Sequence, residues 1–283
     1  MKITQLHSLF HSKLYSLYPK EEIDSFFHLL AEHELRLTRI DRALQPQFEI
    51  TQKNQLFFKK AMEQLEKERP IQHILGKTEF FSLPFKVTKN VLIPRPETEE
   101  LVEWILDETQ DKKNLKILDI GTGSGCIAVA LAKNSANAKV TALDFSQTAI
   151  AIAKENAMKN KVSIEFLEQD ILNTSSLPEK YDVIVSNPPY VRNLEKTEIK
   201  KNVLAYEPAS ALFVDNANPL IFYKKISALA KNHLTKDGQL FFEINQYLGK
   251  ETLKILKENG FSNTLLRKDI FQNDRMTKAN LSL

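Results

Sequence analysis

Apolar residues recur at three- and four-residue steps through the first part of the chain. Ile3, Leu6, Phe10, Leu14 and Leu17 form one stripe, Ile23, Phe27 and Leu30 a second, and Phe57, Ala61 and Leu65 a third. That spacing predicts amphipathic helices punctuated by Pro19 and Pro70. No strand pattern interrupts them, so residues 1–72 read as a small helical bundle, either a packing appendage or a docking surface for a macromolecular substrate. The pattern changes over residues 73–92. Thr78 to Val87 is aromatic and β-prone around Ser82-Leu83-Pro84, which predicts a β-hairpin linker with its turn there. Pro94 and Pro96 then keep the chain extended, and Glu97 to Glu100 open a helix with acidic residues in its first turn.

From Leu115 onward strand and helix patterns alternate. Strands are expected at Leu115–Ile120, Val140–Leu143, Ile164–Leu167 (ending near Asp170), Val183–Val185, Leu240–Ile244, and near Leu265 and Met276. Helices are expected after Gly125, after a Ser146 cap, after Asn218-Pro219 and around Leu253. Such alternation means an α/β, Rossmann-like domain over residues 93–283, with a mostly parallel seven-stranded sheet covered on both faces. Ligands in that architecture bind outside the carboxyl ends of the strands. Gly121, Asp144, Asp170 and Asn187 all fall at such ends.

With 283 residues, 42% of them hydrophobic, the chain is long enough for one large domain and a smaller one. A balance of 39 basic against 36 acidic residues leaves +3, too mild to argue for a nucleic-acid stripe or membrane-surface binding. The single cysteine, Cys126, excludes an intrachain disulfide framework and fits a reducing cytosol. The first twenty residues carry charges and histidines rather than an apolar block, and no later run is long enough to span a bilayer, so a cytoplasmic protein is expected. His7 and His11 stand at i, i+4 spacing, but no third ligand is visible, so they read as a solvated helix face and no metal is expected.

The candidate chemistry gathers at strand ends. Gly121-Thr122-Gly123-Ser124-Gly125 lets the backbone turn sharply into a helix whose N-terminus favours an anionic group such as a carboxylate. Asp144 stands where ribose hydroxyls would be accepted, and Asp170 where an adenine amino group would be met, with Ile171 or Leu172 against the ring. After the fourth strand comes Asn187-Pro188-Pro189-Tyr190. The two prolines stiffen the tip, and the Asn187 amide oxygen and the Pro188 carbonyl can each take one hydrogen of a planar NH2 group while Tyr190 offers a face. Each element alone is weak; the ordered set is specific.

This order of motifs resembles the class I S-adenosyl-L-methionine-dependent methyltransferases, among which Asn-Pro-Pro-Tyr marks enzymes acting on planar NH2 nitrogens. Pro70-Ile71-Gln72-His73-Ile74-Leu75-Gly76, Glu79-Phe80, Ile93-Pro94-Arg95-Pro96-Glu97-Thr98-Glu99 and Glu207-Pro208-Ala209-Ser210-Ala211-Leu212 are similar to the peptide chain release factor glutamine methyltransferase family, known as PrmC or HemK. The resemblance covers nearly the whole chain. It implies S-adenosyl-L-methionine as methyl donor, S-adenosyl-L-homocysteine as product, and class 1 release factors as protein substrates. Site residues carried over are Asn187, Pro188, Pro189 and Tyr190 for catalysis, and Gly121, Thr122, Gly123, Ser124, Gly125, Asp144, Asp170, Ile171, Asn187 and Arg95 for the cofactor. Arg95 is expected at the cofactor carboxylate, at the cleft edge, or in a salt bridge with a glutamate. Two positions depart from the family pattern: Asn245 stands where a glycine is expected, and Ile171 where some members carry an aromatic.

Two rivals share parts of this pattern. Adenine or guanine amino groups of nucleic acid present the same tip chemistry; a DNA enzyme would need a larger recognition insertion and a more basic surface, whereas a ribosomal RNA guanine methyltransferase stays open as the alternative, with a nucleic-acid partner not expected. A non-catalytic cofactor-binding module would have no use for two converging acceptors.

Overall fold

The computed structural model describes residues 1–281. The chain forms two compact units: Met1–Gly76 with Lys201–Tyr206, and Lys77–Lys200 with Glu207–Leu283.

The helical unit comprises α1 (Ile3–Leu14), α2 (Lys20–Leu35), α3 (Arg39–Leu44), α4 (Gln52–Leu65) and α5 (Ile71–Leu75). Its core is the side of each stripe that faces inward, with Phe10, Phe27 and Phe58 in edge-on and tilted ring contacts. Two stripe members fall outside it. Leu17 lies beyond the end of α1 and is 45% exposed, because the chain leaves the helix at Tyr15 and turns into Pro19. On α4 the buried ring is Phe58, one position after the expected Phe57, which is only half-buried and meets Phe58 edge-on. The histidine pair of α1 gains a partner from α2. Asp24 Oδ1 lies 2.7 Å from both His7 Nε2 and His11 Nε2, so a carboxylate seventeen and thirteen residues away stapes the two helices together. Lys201–Tyr206 joins this unit through the Tyr206 hydroxyl, which donates to Lys67 O at 2.9 Å.

The second unit opens with the hairpin β1 (Lys77–Phe80) and β2 (Leu83–Lys86). Its turn is Phe81-Ser82, one residue before the expected Ser-Leu-Pro, with φ of 50° and 57°. Two positive φ values in a two-residue loop match the twist of paired strands, and Pro84 sits inside the short second strand. Next come α6 (Pro96–Thr109), β3 (Lys116–Ile120), α7 (Cys126–Asn134), β4 (Lys139–Asp144), α8 (Gln147–Asn160), β5 (Ile164–Glu168) and β6 (Tyr181–Ser186). The strand β7 (Val191–Arg192) precedes α9 (Lys201–Tyr206), and α10 (Ala209–Leu212) leads to β8 (Phe213–Val214), which pairs with β7. The chain then runs through α11 (Ile221–His233), β9 (Leu234–Glu243), α12 (Gly249–Glu258), β10 (Phe261–Lys268) and β11 (Asp274–Leu281).

The main sheet has seven strands in the order β10-β11-β9-β6-β3-β4-β5. Pairings from β9 through β5 are parallel, and β11 is antiparallel to both of its neighbours. Buried on both faces, the central strands read as continuous apolar runs whose alternate residues enter opposite cores. Ile117, Val183, Val185 and Phe241 pack on one side with Leu101, Trp104 and Val129, and Leu118, Ile184, Leu240 and Phe242 on the other with Tyr223, Ile226 and Leu256. The order of the chain reverses at β3, where β4 lies on one side and β6 on the other. That reversal opens a crevice at the carboxyl ends of β3 and β6.

Candidate active site

A cavity of about 330 Å³ lies at this switch point, within the range of small-molecule sites. Its wall includes Gly121 to Ser124, Asp144, Asp170, Ile171, Asn187, Pro188 and Arg95, so most of the residues singled out in the sequence converge there.

The glycine loop is held from below. Gly121 N and Thr122 N donate to Leu143 O of β4 at 2.8 and 3.0 Å, and Gly123 N donates to Asp144 Oδ2 at 2.8 Å. Ser146 N donates to the other oxygen of Asp144 at 2.9 Å, so the carboxylate braces the loop; each oxygen retains acceptor capacity for a further donor. Burial raises the Asp144 pKa, against the pull of those backbone donors. Gly123 has φ +55°, and the space a Cβ would enter above it is open for at least 4 Å, as it is above Gly121. Such an opening is where a ligand backbone can approach the loop. Gly125, at φ +81°, is needed for a different reason: a Cβ there would meet Ala153 Cβ at 3.0 Å, so its absence lets α7 and α8 pack closely.

Asp119, at the end of β3, was not singled out in the sequence. It is fully buried, accepts from Thr122 Oγ1 at 2.6 Å, and has its pKa raised to about 7 by burial. Thr122 therefore spends its hydroxyl on tying the loop to the strand. Asn156 of α8, also fully buried, donates to Ser124 O and to Lys86 O and accepts from Lys86 N, joining the loop to the hairpin.

Farther along the rim, Asp170 follows β5, which stops at Glu168, two residues earlier than expected. Its carboxylate is exposed and accepts from Leu172 N and Asn173 Nδ2. Ile171 is 7% exposed on the cavity wall. The missing aromatic has a counterpart one strand over: Phe145, 58% exposed, lines the same cavity.

The Asn-Pro-Pro-Tyr tip leaves β6 beside the glycine loop. Ser186 Oγ donates to Ile120 O at 2.7 Å, fastening the end of β6 to the end of β3 across the crevice. Asn187, Pro188 and Pro189 line the cavity. Tyr190 is placed differently from the expected substrate-facing aromatic. It is absent from the cavity wall among the described residues, and its hydroxyl donates to Glu243 Oε1 at 3.1 Å. The reason is the cost of burying Glu243, a carboxylate 1% exposed, which needs donors on both oxygens. Thr98 Oγ1 supplies the second at 2.6 Å to Oε2. Burial raises the Glu243 pKa, while Thr98, Arg275 and Tyr190 pull it down. Asn245, at the departure from the family pattern, fills its position usefully. Its Nδ2 donates to Tyr190 O at 3.0 Å and to Glu195 Oε2 at 2.9 Å, bracing the end of the tip.

Arg95 is committed to a glutamate while standing on the cavity wall. Its Nη2 donates to Glu207 Oε1 at 2.5 Å, and Ile93 N donates to Glu207 Oε2 at 3.0 Å. With its side chain 1% exposed, Glu207 requires these donors, which explains the Glu-Pro segment physically.

Two family models match: PrmC N-terminal domain over residues 12–76 and Methyltransferase small domain over residues 98–213. A release factor glutamine methyltransferase of Flavobacterium psychrophilum is 53% identical, covering 99% of each chain. One of Bacteroides thetaiotaomicron is 39% identical over 98% of this chain and 100% of its own. The chain belongs to the release factor glutamine methyltransferase family. A T. thermophilus 16S rRNA N2 G1207 methyltransferase, solved with AdoMet and guanosine, superposes with a TM-score of 0.52 at 16% identity, covering 73% of this chain and 50% of its own. That likeness shows the shared fold.

For a member of this family, the residues that sequence reading missed have a common character. Thr98, Asp119 and Glu243 are buried polar groups that hold other site residues, as is Asn245, singled out in the sequence only as a departure. Thr98 lies inside the Ile-Pro-Arg-Pro-Glu-Thr-Glu block and Glu243 in the Glu-Ile-Asn segment, but a carboxylate ending an apolar strand run was the available signal. No helix among the described residues is long and apolar enough to cross a membrane.

Proposed function

We propose that this chain methylates the side-chain amide nitrogen of the glutamine in the Gly-Gly-Gln segment of class 1 peptide chain release factors, with S-adenosyl-L-methionine as donor, in the cytoplasm. The observation that carries the reading is the stiff Asn187-Pro188 corner on the wall of the same cavity as the glycine loop and Asp144. The relatives' shared name supplies the substrate class.

The open space over Gly121 and Gly123 fits a ligand with an extended backbone-like part, and Asp144 retains lone pairs for ribose hydroxyls. In this reading Asp170, on the cavity wall, meets the adenine amino group, and Ile171 with Phe145, on the same wall, packs on its ring. The rim guanidinium of Arg95, its charge paired with Glu207, retains further N–H donors for the cofactor carboxylate. The donor carries a methyl group on a sulfonium and leaves as S-adenosyl-L-homocysteine. An amide nitrogen is conjugated and a poor nucleophile, so the chain's own task is orientation. Asn187 Oδ1 and the Pro188 carbonyl accept the two hydrogens of the substrate NH2, fixing its plane and supporting positive charge that develops on nitrogen as the N–CH3 bond forms and the S–CH3 bond breaks; one of the two hydrogens then leaves the nitrogen as a proton to solvent. Pro189 stiffens the corner, and Tyr190 anchors it through Glu243. The helical unit serves as the docking part for the protein substrate.

Incubation with methyl-labelled S-adenosyl-L-methionine tests this directly. Label is expected in purified release factor, lost when its Gly-Gly-Gln glutamine is replaced by alanine. Label in total RNA and none in the release factor would favour an amino-group methyltransferase of nucleic acid instead.

A further inference from the structure

The carboxamide of Asn187 has two ends of nearly equal shape, and the end that faces the cavity decides whether it accepts from a ligand or donates to one. Groups remote in sequence decide it. Glu243 is buried at the end of β9, and an ionised carboxylate can only accept. Thr98 Oγ1, 2.6 Å from Glu243 Oε2, must then donate its one hydrogen to that oxygen. Having spent it, Thr98 can only accept from its other neighbour, Asn187 Nδ2 at 3.3 Å. The nitrogen end of the Asn187 amide is thereby held on Thr98, which leaves the oxygen end for a ligand in the cavity that Asn187 lines. Thr98, Tyr190 OH and the guanidinium of Arg275 favour the charged form of Glu243 against the burial that raises its pKa, and the one-way chain belongs to that charged form.

We propose that Thr98 and Glu243 are positioning residues: the one-way chain from Asn187 Nδ2 through Thr98 Oγ1 to Glu243 sets Asn187 as an acceptor toward the substrate NH2. This rests on the glutamine-methylating reading above and adds to it the origin of the acceptor's direction. An amide free to turn over would present Nδ2 instead, placing donor against donor. Thr98 and Glu243, in the first turn of α6 and at the end of β9, lie 145 residues apart in the chain and are joined at the tip by this hydrogen bond.

The test is a comparison of Thr98→Val, Thr98→Ser and Glu243→Gln with the unsubstituted enzyme. Four readings are taken on each: kcat and KM for release factor, Kd for S-adenosyl-L-methionine by calorimetry, and Tm. Valine keeps the shape of threonine without the hydroxyl. Glutamine keeps the shape of glutamate but can donate to Thr98, which reverses the chain. Both Thr98→Val and Glu243→Gln are expected to lower kcat by roughly 10- to 100-fold with KM and Kd within about threefold, while Thr98→Ser stays within about threefold of the unsubstituted enzyme. A kcat for Thr98→Val near that of the unsubstituted enzyme overturns the proposal, as does equal impairment of Thr98→Ser, or loss of kcat in step with cofactor affinity and Tm. If Thr98→Val does not fold, Glu243→Gln carries the same decision. Failure of the underlying reading is distinct, because the unsubstituted enzyme would then leave release factor unlabelled.

Discussion

The two units bury different kinds of atoms. Among the described residues of the helical unit, His73 is the one buried polar side chain, and the core is built of aliphatic and aromatic groups such as Phe10, Phe27 and Phe58. In the sheet unit, Thr98, Asp119, Thr122, Asp144, Ser186, Glu243 and Asn245 are all buried, and every one lies at or beside the carboxyl end of a central strand or on the helix next to it. Apolar burial needs no particular partner, so it can be spread over any helix face. Polar burial costs several kcal/mol unless each atom is matched, and this set finds its matches where strands stop and backbone donors become available. The difference teaches where to look in this molecule: stability is distributed, and chemistry sits where buried polar groups crowd together.

The comparison breaks most visibly in the helical core. Phe58→Ala should cost about 3–5 kcal/mol of unfolding free energy, because it leaves a cavity among packed rings. Chemical denaturation would read the loss, and cofactor affinity measured well below the transition should be unchanged. If that affinity fell in parallel, the division between the units would be wrong.

At the tip the effect should fall on rate instead. Asn187→Ala should lower kcat by about 2–4 kcal/mol in transition-state stabilisation while leaving cofactor Kd nearly unaltered. Single-turnover transfer to release factor, paired with calorimetric binding, separates the two quantities. Unreduced turnover would remove Asn187 from the mechanism.

The smallest expected effect sharpens the meaning of polar burial. Asp119 is pushed up to about 7 in the folded chain from an ordinary value of 3.8, so between those values the folded state holds a proton that the unfolded state releases. Stability should therefore fall as pH rises through that window. Asp119→Asn keeps an acceptor for Thr122 and should flatten this limb by on the order of 1–2 kcal/mol, read from denaturation curves at stepped pH. A slope unchanged by the substitution would mean that some other group sets it.

Much of the site is legible without coordinates because its signals are local. Glycines at 121, 123 and 125 announce a tight turn from strand to helix, Ser146 caps α8 as its position implies, and Pro188-Pro189 stops β6 wherever the strand goes. Tyr190 shows the limit of such reading. Its place in the tetrapeptide suggests a substrate face, yet its hydroxyl turns to Glu243, fifty-three residues later in the chain. Arg95 is similar: two prolines make it rigid, but only the arrival of Glu207 reveals what the guanidinium holds.

Periodicity and turn chemistry, acting over a few residues, determined the alternation of strands and helices, the apolar faces, and the glycine loop and proline tip at strand ends. Tertiary structure decided the pairings that give those parts direction. Asp24 bridges two helices, Asp119 holds Thr122, and Glu243 turns Asn187 through Thr98. A buried polar atom takes whatever partner the fold brings within about 3 Å, and no pattern along the chain encodes that neighbour.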